Sequence, residues 1–185
     1  VDTNLNKSPY KREKFNQQQI EDIVKCTQDP QYFIENFVWI QHPVKGRMKF
    51  DLFDFQRGLL DAYHNHRYSI ALISRQMGKS TAAAAYLLWY AMYVPDQTIL
   101  IAAHKYSGAQ EIMQRIRFAY ELLPDHVRAG VTAYNKGSLE FDNGSRIIAQ
   151  ATTENTGRGL SISLAYLDEF AFVRPTIARE FWTSL

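Results

Sequence analysis

The sequence predicts an α/β domain with a mainly parallel central sheet flanked by helices, preceded by an α-helical N-terminal segment. Three observations predict it. From residue 68 onward, short apolar runs alternate with helical stretches, the pattern of βαβ units. Between the first apolar run and the first long helix lies Ser74-Arg75-Gln76-Met77-Gly78-Lys79-Ser80, a turn of the phosphate-loop type. Before residue 68, apolar residues recur at helical spacing. The expected organisation is a polar segment over 1–16, a helical part over 17–67 and a P-loop core over 68–185.

The elements follow in order. Residues 1–16 are polar and expected to be loosely ordered. Gln17–Thr27 carries Ile20, Ile23 and Val24 on one helical face. Asp29 is placed to cap a second helix with Pro30 in its first turn and Phe33, Ile34, Phe37 and Val38 on its apolar side. Gln41–Lys49 contains Pro43 and Gly46 and reads as loop. Phe55–His64 is helical again.

Tyr68–Ile73 has the composition of a buried strand. Lys79–Tyr93 is Ala-rich and helical. Thr98–Ala103 is a second buried strand. Ser107–Leu123 is a helix stopped by Pro124. Ser138–Phe141 and Arg146–Ala149 flank Asp142-Asn143-Gly144, a hairpin turn. Ser161–Leu167 reads as a third buried strand, ending at Asp168-Glu169.

Composition bounds the class. The chain has 185 residues, 46% hydrophobic and 22% charged, which excludes disorder or a collagen-like repeat as a description of the whole. At this length folding buries about 70% of the unfolded surface, so a full core forms without staples. Lys and Arg number 21 against 19 Asp and Glu, so global charge makes no case for nucleic acid. The single Cys26 excludes an internal disulfide and fits a reducing compartment. The longest apolar run, Ala82–Val94, has 13 residues, short of the ~20 that span a bilayer. The polar N-terminus carries no secretory signal. The chain opens on Val and is expected to be an excised piece, incomplete at its C-terminus.

The turn over 74–80 carries the chemistry. A helix N-terminus offers unpaired N–H groups and a positive dipole end to phosphate oxygens. Gly78 lets the backbone approach closely, Lys79 supplies a charge for the β- and γ-phosphates, and the Ser80 hydroxyl is a Mg²⁺ ligand. Ser74, Gln76 and Met77 complete the loop. The standard pattern would put its first Gly at position 73, where this chain has Ile73. Arg75 inside the loop either faces the phosphates, offsetting γ-phosphate charge, or pairs with a neighbouring carboxylate.

Asp168 and Glu169 end an apolar strand. Two acids there are costly unless they meet a cation or water, and the carboxyl edge of a parallel sheet is where ligands bind. Asp168 is the candidate Mg²⁺ ligand and Glu169 the group that orients and activates water. The plain alternative is a helix-capping pair.

Taken together, Ser-Arg-Gln-Met-Gly-Lys-Ser and Leu-Ala-Tyr-Leu-Asp-Glu-Phe-Ala-Phe resemble the deviant Walker A and the Walker B of large terminase subunits of tailed bacteriophages, myovirus type. Asp51–Arg57, Glu121–Pro124, Asn135–Ser138 and Asp142–Ser145 agree with the same family. The resemblance runs from about Asp29 to the end. It implies a RecA-like P-loop NTPase core, binding ATP and Mg²⁺, that powers translocation of double-stranded viral DNA into a procapsid. It also implies a portal protein, a small terminase subunit and self-association into a ring as partners, in the cytoplasm of the infected host. Gln56 matches an adenine-recognition motif, with Phe53 or Phe55 against the base. Arg158 in Thr156-Gly157-Arg158-Gly159 matches an arginine finger, a group worth about 10³–10⁵ in rate; otherwise it grips DNA phosphate or faces solvent. The family's coupling motif, lid and nuclease domain have no counterpart in this sequence.

Two other readings share the motifs. A helicase-like DNA-remodelling ATPase would use the same core, and a non-catalytic nucleotide-binding assembly module would bind without turnover. Trp39, Trp89 and Trp182 read as core or interface anchors. His42, His64, His66, His104 and His126 lack metal-ligand spacing.

Overall fold

The computed structural model describes residues 5–184. It is a mixed α/β structure that divides into two compact units. One comprises Arg12–Tyr93 and Arg115–Arg128; the other comprises residues up to Lys11, Val94–Gln114 and Ala129 onward.

The first unit is helical. Helix α1 (Gln17–Gln28) starts with a reciprocal cap. The Gln19 N–H donates to the Asn16 side chain and the Asn16 N–H to the Gln19 side chain, at 2.9 and 3.0 Å. Helix α2 (Pro30–Phe37) is capped by Asp29, whose Oδ1 accepts from the Gln31 N–H at 2.8 Å, as its sequence predicts. Helix α3 (Asp54–Asn65) and helix α4 (Lys79–Tyr93) complete the set. From Ala82 to Trp89 every residue of α4 is buried, as expected of a helix apolar all round. Trp89 Nε1 donates to the Cys26 carbonyl at 2.6 Å, the Phe33 and Tyr93 rings meet edge to face at 5.6 Å, and the Tyr93 hydroxyl donates to the Val127 carbonyl at 2.9 Å.

Residues 41–49, expected to be loop, belong to a hairpin of β1 (Trp39–His42) and β2 (Gly46–Lys49). Pro43 and Gly46 mark its turn rather than the absence of strands. His42 Nδ1 accepts the N–H groups of Val44 and Lys45, at 3.2 and 3.1 Å, and so closes the turn. Val38 and Phe50, both buried, continue the pairing through a 3.0 Å bond from the Phe50 N–H to the Val38 carbonyl.

The expected strand Tyr68–Ile73 is not a strand. The segment joins no ladder, and Tyr68, Ile70 and Leu72 are 71%, 100% and 100% exposed. Its apolar alternation is that of a strand. What it lacks among the described residues is a strand to pair with, and a backbone outside any ladder stays at the surface where water can satisfy it.

The second unit is built on five strands in the order β4-β5-β6-β3-β7: β3 (Thr98–Ala103), β4 (Val131–Tyr134), β5 (Ser138–Phe141), β6 (Arg146–Ala151) and β7 (Leu164–Asp168). β3 runs parallel to β6 and to β7, whereas β4–β5 and β5–β6 are antiparallel. The sheet is therefore mixed, not mainly parallel. The Asp142-Asn143-Gly144 turn reverses the chain as predicted, and a second reversal joins β4 to β5. β7 is shorter than expected and only half-buried, because it lies at an edge. Helix α5 (Tyr106–Glu121) divides its residues between the two units. Helix α6 (Pro175–Ser184) sets Phe181 on Leu100 and Ala102, with Leu167 and Phe170 packed around them.

The N-terminal segment is tied down at Lys7 and Tyr10. The Val131 N–H donates to the Lys7 carbonyl at 3.0 Å, and the Tyr10 N–H donates to Asp142 Oδ2 at 2.9 Å.

Candidate active site

Residues 74–80 form a turn that opens α4. Gln76 and Gly78 have positive φ, +64° and +71°, while the residues beside them do not. Such alternation turns successive N–H groups toward one concave side, a backbone arrangement that favours anions. The Gly78 carbonyl then accepts the N–H groups of Thr81 and Ala82, at 3.1 and 2.9 Å, and starts the helix. Ser74, Arg75, Gln76 and Met77 are exposed, whereas Gly78, Lys79 and Ser80 are half-buried. A left-handed Gln costs on the order of 1–3 kcal/mol, strain of the kind that concentrates at functional sites.

Gln56 is 2% exposed and is held at both ends. Its Oε1 accepts the Phe53 N–H at 3.1 Å, capping α3, and its Nε2 donates to the Met77 carbonyl at 3.2 Å. A Cβ at Gly78 would lie 2.7 Å from Nε2. The loop and Gln56 thus fit each other only with glycine at 78. The Phe53 and Phe55 rings stack on each other, 5.8 Å apart and 11° from parallel, both exposed.

In the sheet unit, Ala103 pairs in register with Ala151 and with Asp168. Three parallel strands therefore end level at one carboxyl edge. Asp168 is half-buried there and accepts a 3.3 Å hydrogen bond from the Tyr166 hydroxyl. Glu169 follows with φ +51°, is exposed, and its carbonyl accepts the Phe172 N–H at 3.0 Å. The left-handed residue follows directly on the end of the strand.

Arg158 leaves the same edge, on the loop after β6. Thr156, buried, organises that loop. Its Oγ1 donates to the Ala151 carbonyl at 2.6 Å and accepts the Thr153 N–H at 2.8 Å. The Gly157 N–H donates to Gln150 Oε1 at 3.3 Å, and the Arg158 N–H to the Asn155 carbonyl at 3.2 Å. Gly157 and Gly159 have φ of +82° and +75°, so an exposed Arg158 stands between two left-handed residues on a hydrogen-bonded base.

The predicted residues thus fall into two groups. Gln56 and 74–80 gather in the helical unit, and Asp168, Glu169 and Arg158 gather at one edge of the sheet unit. His104 follows β3 at that same edge. Sequence reasoning did not find Thr156 or the Gln56–Met77 bond. The only signal for Thr156 was its place just before Gly-Arg-Gly. Among the described residues no three His, Cys, Asp or Glu side chains gather to hold a metal.

The family described as "Terminase large subunit, T4likevirus-type, N-terminal" matches residues 70–185. The crystal structure of the large terminase of bacteriophage HK97 is similar, with a TM-score of 0.63 and 26% sequence identity. The match covers 80% of this chain and 32% of that one. The chain thus spans about a third of the length of that large terminase.

Proposed function

The chain belongs to the terminase large-subunit family of the T4-like-virus type, and from that premise we propose that it is the ATP-hydrolysing part of a motor that drives double-stranded DNA into a procapsid. Its partners on this reading are the DNA, a portal protein, a small terminase subunit and further copies of itself in a ring, within the host cytoplasm. No described helix is long and apolar enough to cross a membrane.

The backbone N–H groups of 74–80 cradle the β- and γ-phosphates, and the Lys79 ammonium offsets their charge. Ser80 and Asp168 would hold Mg²⁺, which when bound would supply positive charge to offset that of the phosphates. Glu169 orients the attacking water and takes its proton, as the water oxygen bonds to the γ-phosphorus and the bond to the ADP oxygen breaks. Arg75 and Arg158 offset charge on the transferring group. Gln56 steadies the loop and presents its remaining hydrogen-bonding capacity to adenine, beside the Phe53–Phe55 pair.

One observation carries the nucleotide reading: the alternating left-handed residues Gln76 and Gly78 at the N-terminus of α4, directly before Lys79-Ser80. Calorimetric titration with MgATP tests it. Lys79→Ala is expected to abolish tight binding while the fold, followed by circular dichroism, is retained. Unchanged affinity rejects the site.

A further inference from the structure

We propose that the β1–β2 hairpin is a docking surface for the phosphate backbone of duplex DNA. Its register pairs Trp39 with Lys49 and Gln41 with Arg47. Directly opposed residues share a face, so these four side chains stand together, with Lys45 beside them in the turn. Ile40 and Met48, on the opposite face, are half-buried and seat the ribbon.

The charge of this face is local. Between Asn36 and Phe50 there is no Asp or Glu, while Lys45, Arg47 and Lys49 supply three cations. The whole chain carries only +2. Among the described residues no ion pair uses any of the three. Instead the indole of Trp39 holds two of them, with the Arg47 guanidinium 5.8 Å and the Lys49 ammonium 5.6 Å from its ring centre. Lys49 also donates to the Asn36 carbonyl. Cations fixed against a ring have lost rotamer freedom in advance, which lowers the entropic cost of gripping a partner.

The spacing fits a polyphosphate. Arg47 and Lys49 lie two residues apart on one strand, about 6.8 Å. That is two axial rises of about 3.4 Å per phosphate on one strand of a duplex. A two-stranded ribbon is also of a width that the ~12 Å major groove admits. The exposed Gln41 amide adds a donor for phosphate oxygen. The choice of duplex DNA among polyanions rests on the packaging function proposed above; the charge arrangement does not.

The test is fluorescence anisotropy of a labelled random-sequence duplex titrated with the full chain at about 50 and 200 mM salt. Lys45→Glu/Arg47→Glu, which spares the anchored Lys49, is expected to weaken binding at least about tenfold at low salt. It should also reduce the slope of log affinity against log salt by about two, since each phosphate contact contributes ~0.9. A control reversal at the exposed Lys105 and Lys136 should leave both readings unchanged. Unaltered affinity and slope in the hairpin variant overturn the proposal. So does an equal loss in the control, which makes the binding diffuse, or equally good displacement by polyglutamate, which reassigns the face to an acidic protein. MgATP titration of the same proteins reports on the nucleotide loop separately. A wild-type chain that binds no nucleotide yet loses duplex binding on reversal keeps the hairpin and rejects the ATP site.

Discussion

The Gln56 side-chain amide donates to the Met77 carbonyl across 3.2 Å and thereby joins the first turn of α3 to the loop that opens α4. Because the same side chain caps α3 through the Phe53 N–H, removing it strands two backbone groups. Gln56→Ala is expected to destabilise the chain by about 1–3 kcal/mol, the cost of leaving buried polar groups unpaired. Gln56→Glu keeps the cap acceptor but loses the donor to Met77, so it should retain more stability than Gln56→Ala while weakening MgATP binding. Denaturant melts and calorimetry on the pair separate the two roles. Equal stability of all three proteins would remove the brace.

Gly78 tests the same contact from the other side. An Ala there meets two penalties, a φ of +71° and a Cβ 2.7 Å from Gln56 Nε2. Gly78→Ala should therefore destabilise by about 1–3 kcal/mol. The two changes should not add. In Gln56→Ala/Gly78→Ala the steric part vanishes and only the backbone strain remains, giving a coupling of about 0.5–3 kcal/mol in a double-mutant cycle. Strict additivity would mean that the two residues do not touch.

Much of this was legible in the sequence, for identifiable reasons. The bounds of α4 are those read from composition, because a long Ala- and Leu-rich stretch between a Gly and a Pro has one favourable conformation. Asp29 announced α2 because a carboxylate before Pro states its role locally. The hairpin at 39–49 was not legible, since four-residue strands carrying Lys and Arg leave no periodic apolar signal. Tyr68–Ile73 failed in the opposite way. Apolar alternation reports what a segment can bury, whereas a strand also needs a neighbour, which is a property of the rest of the fold. For the candidate site, residue types pointed to the loop and the acidic pair. The engagement of both ends of the Gln56 amide and the Thr156 network depend on geometry that no spacing encodes.

Glu169 is expected to separate binding from chemistry. Glu169→Gln keeps size and hydrogen bonding but cannot take a proton from water. Phosphate release by the full-length protein should fall by about 10²–10⁴-fold, the usual contribution of a general base, with MgATP affinity kept. Retained turnover would reassign the role.

On the proposed function, Thr156 is expected to position Arg158. Its hydroxyl closes the turn on which Gly157-Arg158-Gly159 stands. Thr156→Val, which removes the hydroxyl at nearly constant volume, should lower kcat in assembled rings and leave KM for ATP nearly unchanged. Thr156→Ser should restore it. Arg158→Ala should reproduce the kcat loss, and in mixed rings the defect should follow the neighbouring subunit. If Thr156→Val is silent while Arg158→Ala is not, the loop's hydrogen bonds do not aim the guanidinium.

A pH dependence follows from Asp22, which lies 3.3 Å from His126 Nε2 and also accepts from Gln18 and Tyr32. Burial alone would raise its carboxyl pKa, but the hydrogen bonds from Gln18, His126 and Tyr32 together outweigh that, and the carboxyl lies below its ordinary 3.8. A depressed carboxyl stabilises the fold in its charged form. That stabilisation is complete above the unfolded-state value and is lost as pH falls through the folded-state value. Asp22→Asn should therefore lower Tm by a constant amount near neutrality, and the gap to wild type should close progressively below about pH 4. Thermal melts of both proteins across that range measure it directly. A gap that stays constant down to the acid limit would show that packing around residue 22, rather than its charge, ties α1 to His126.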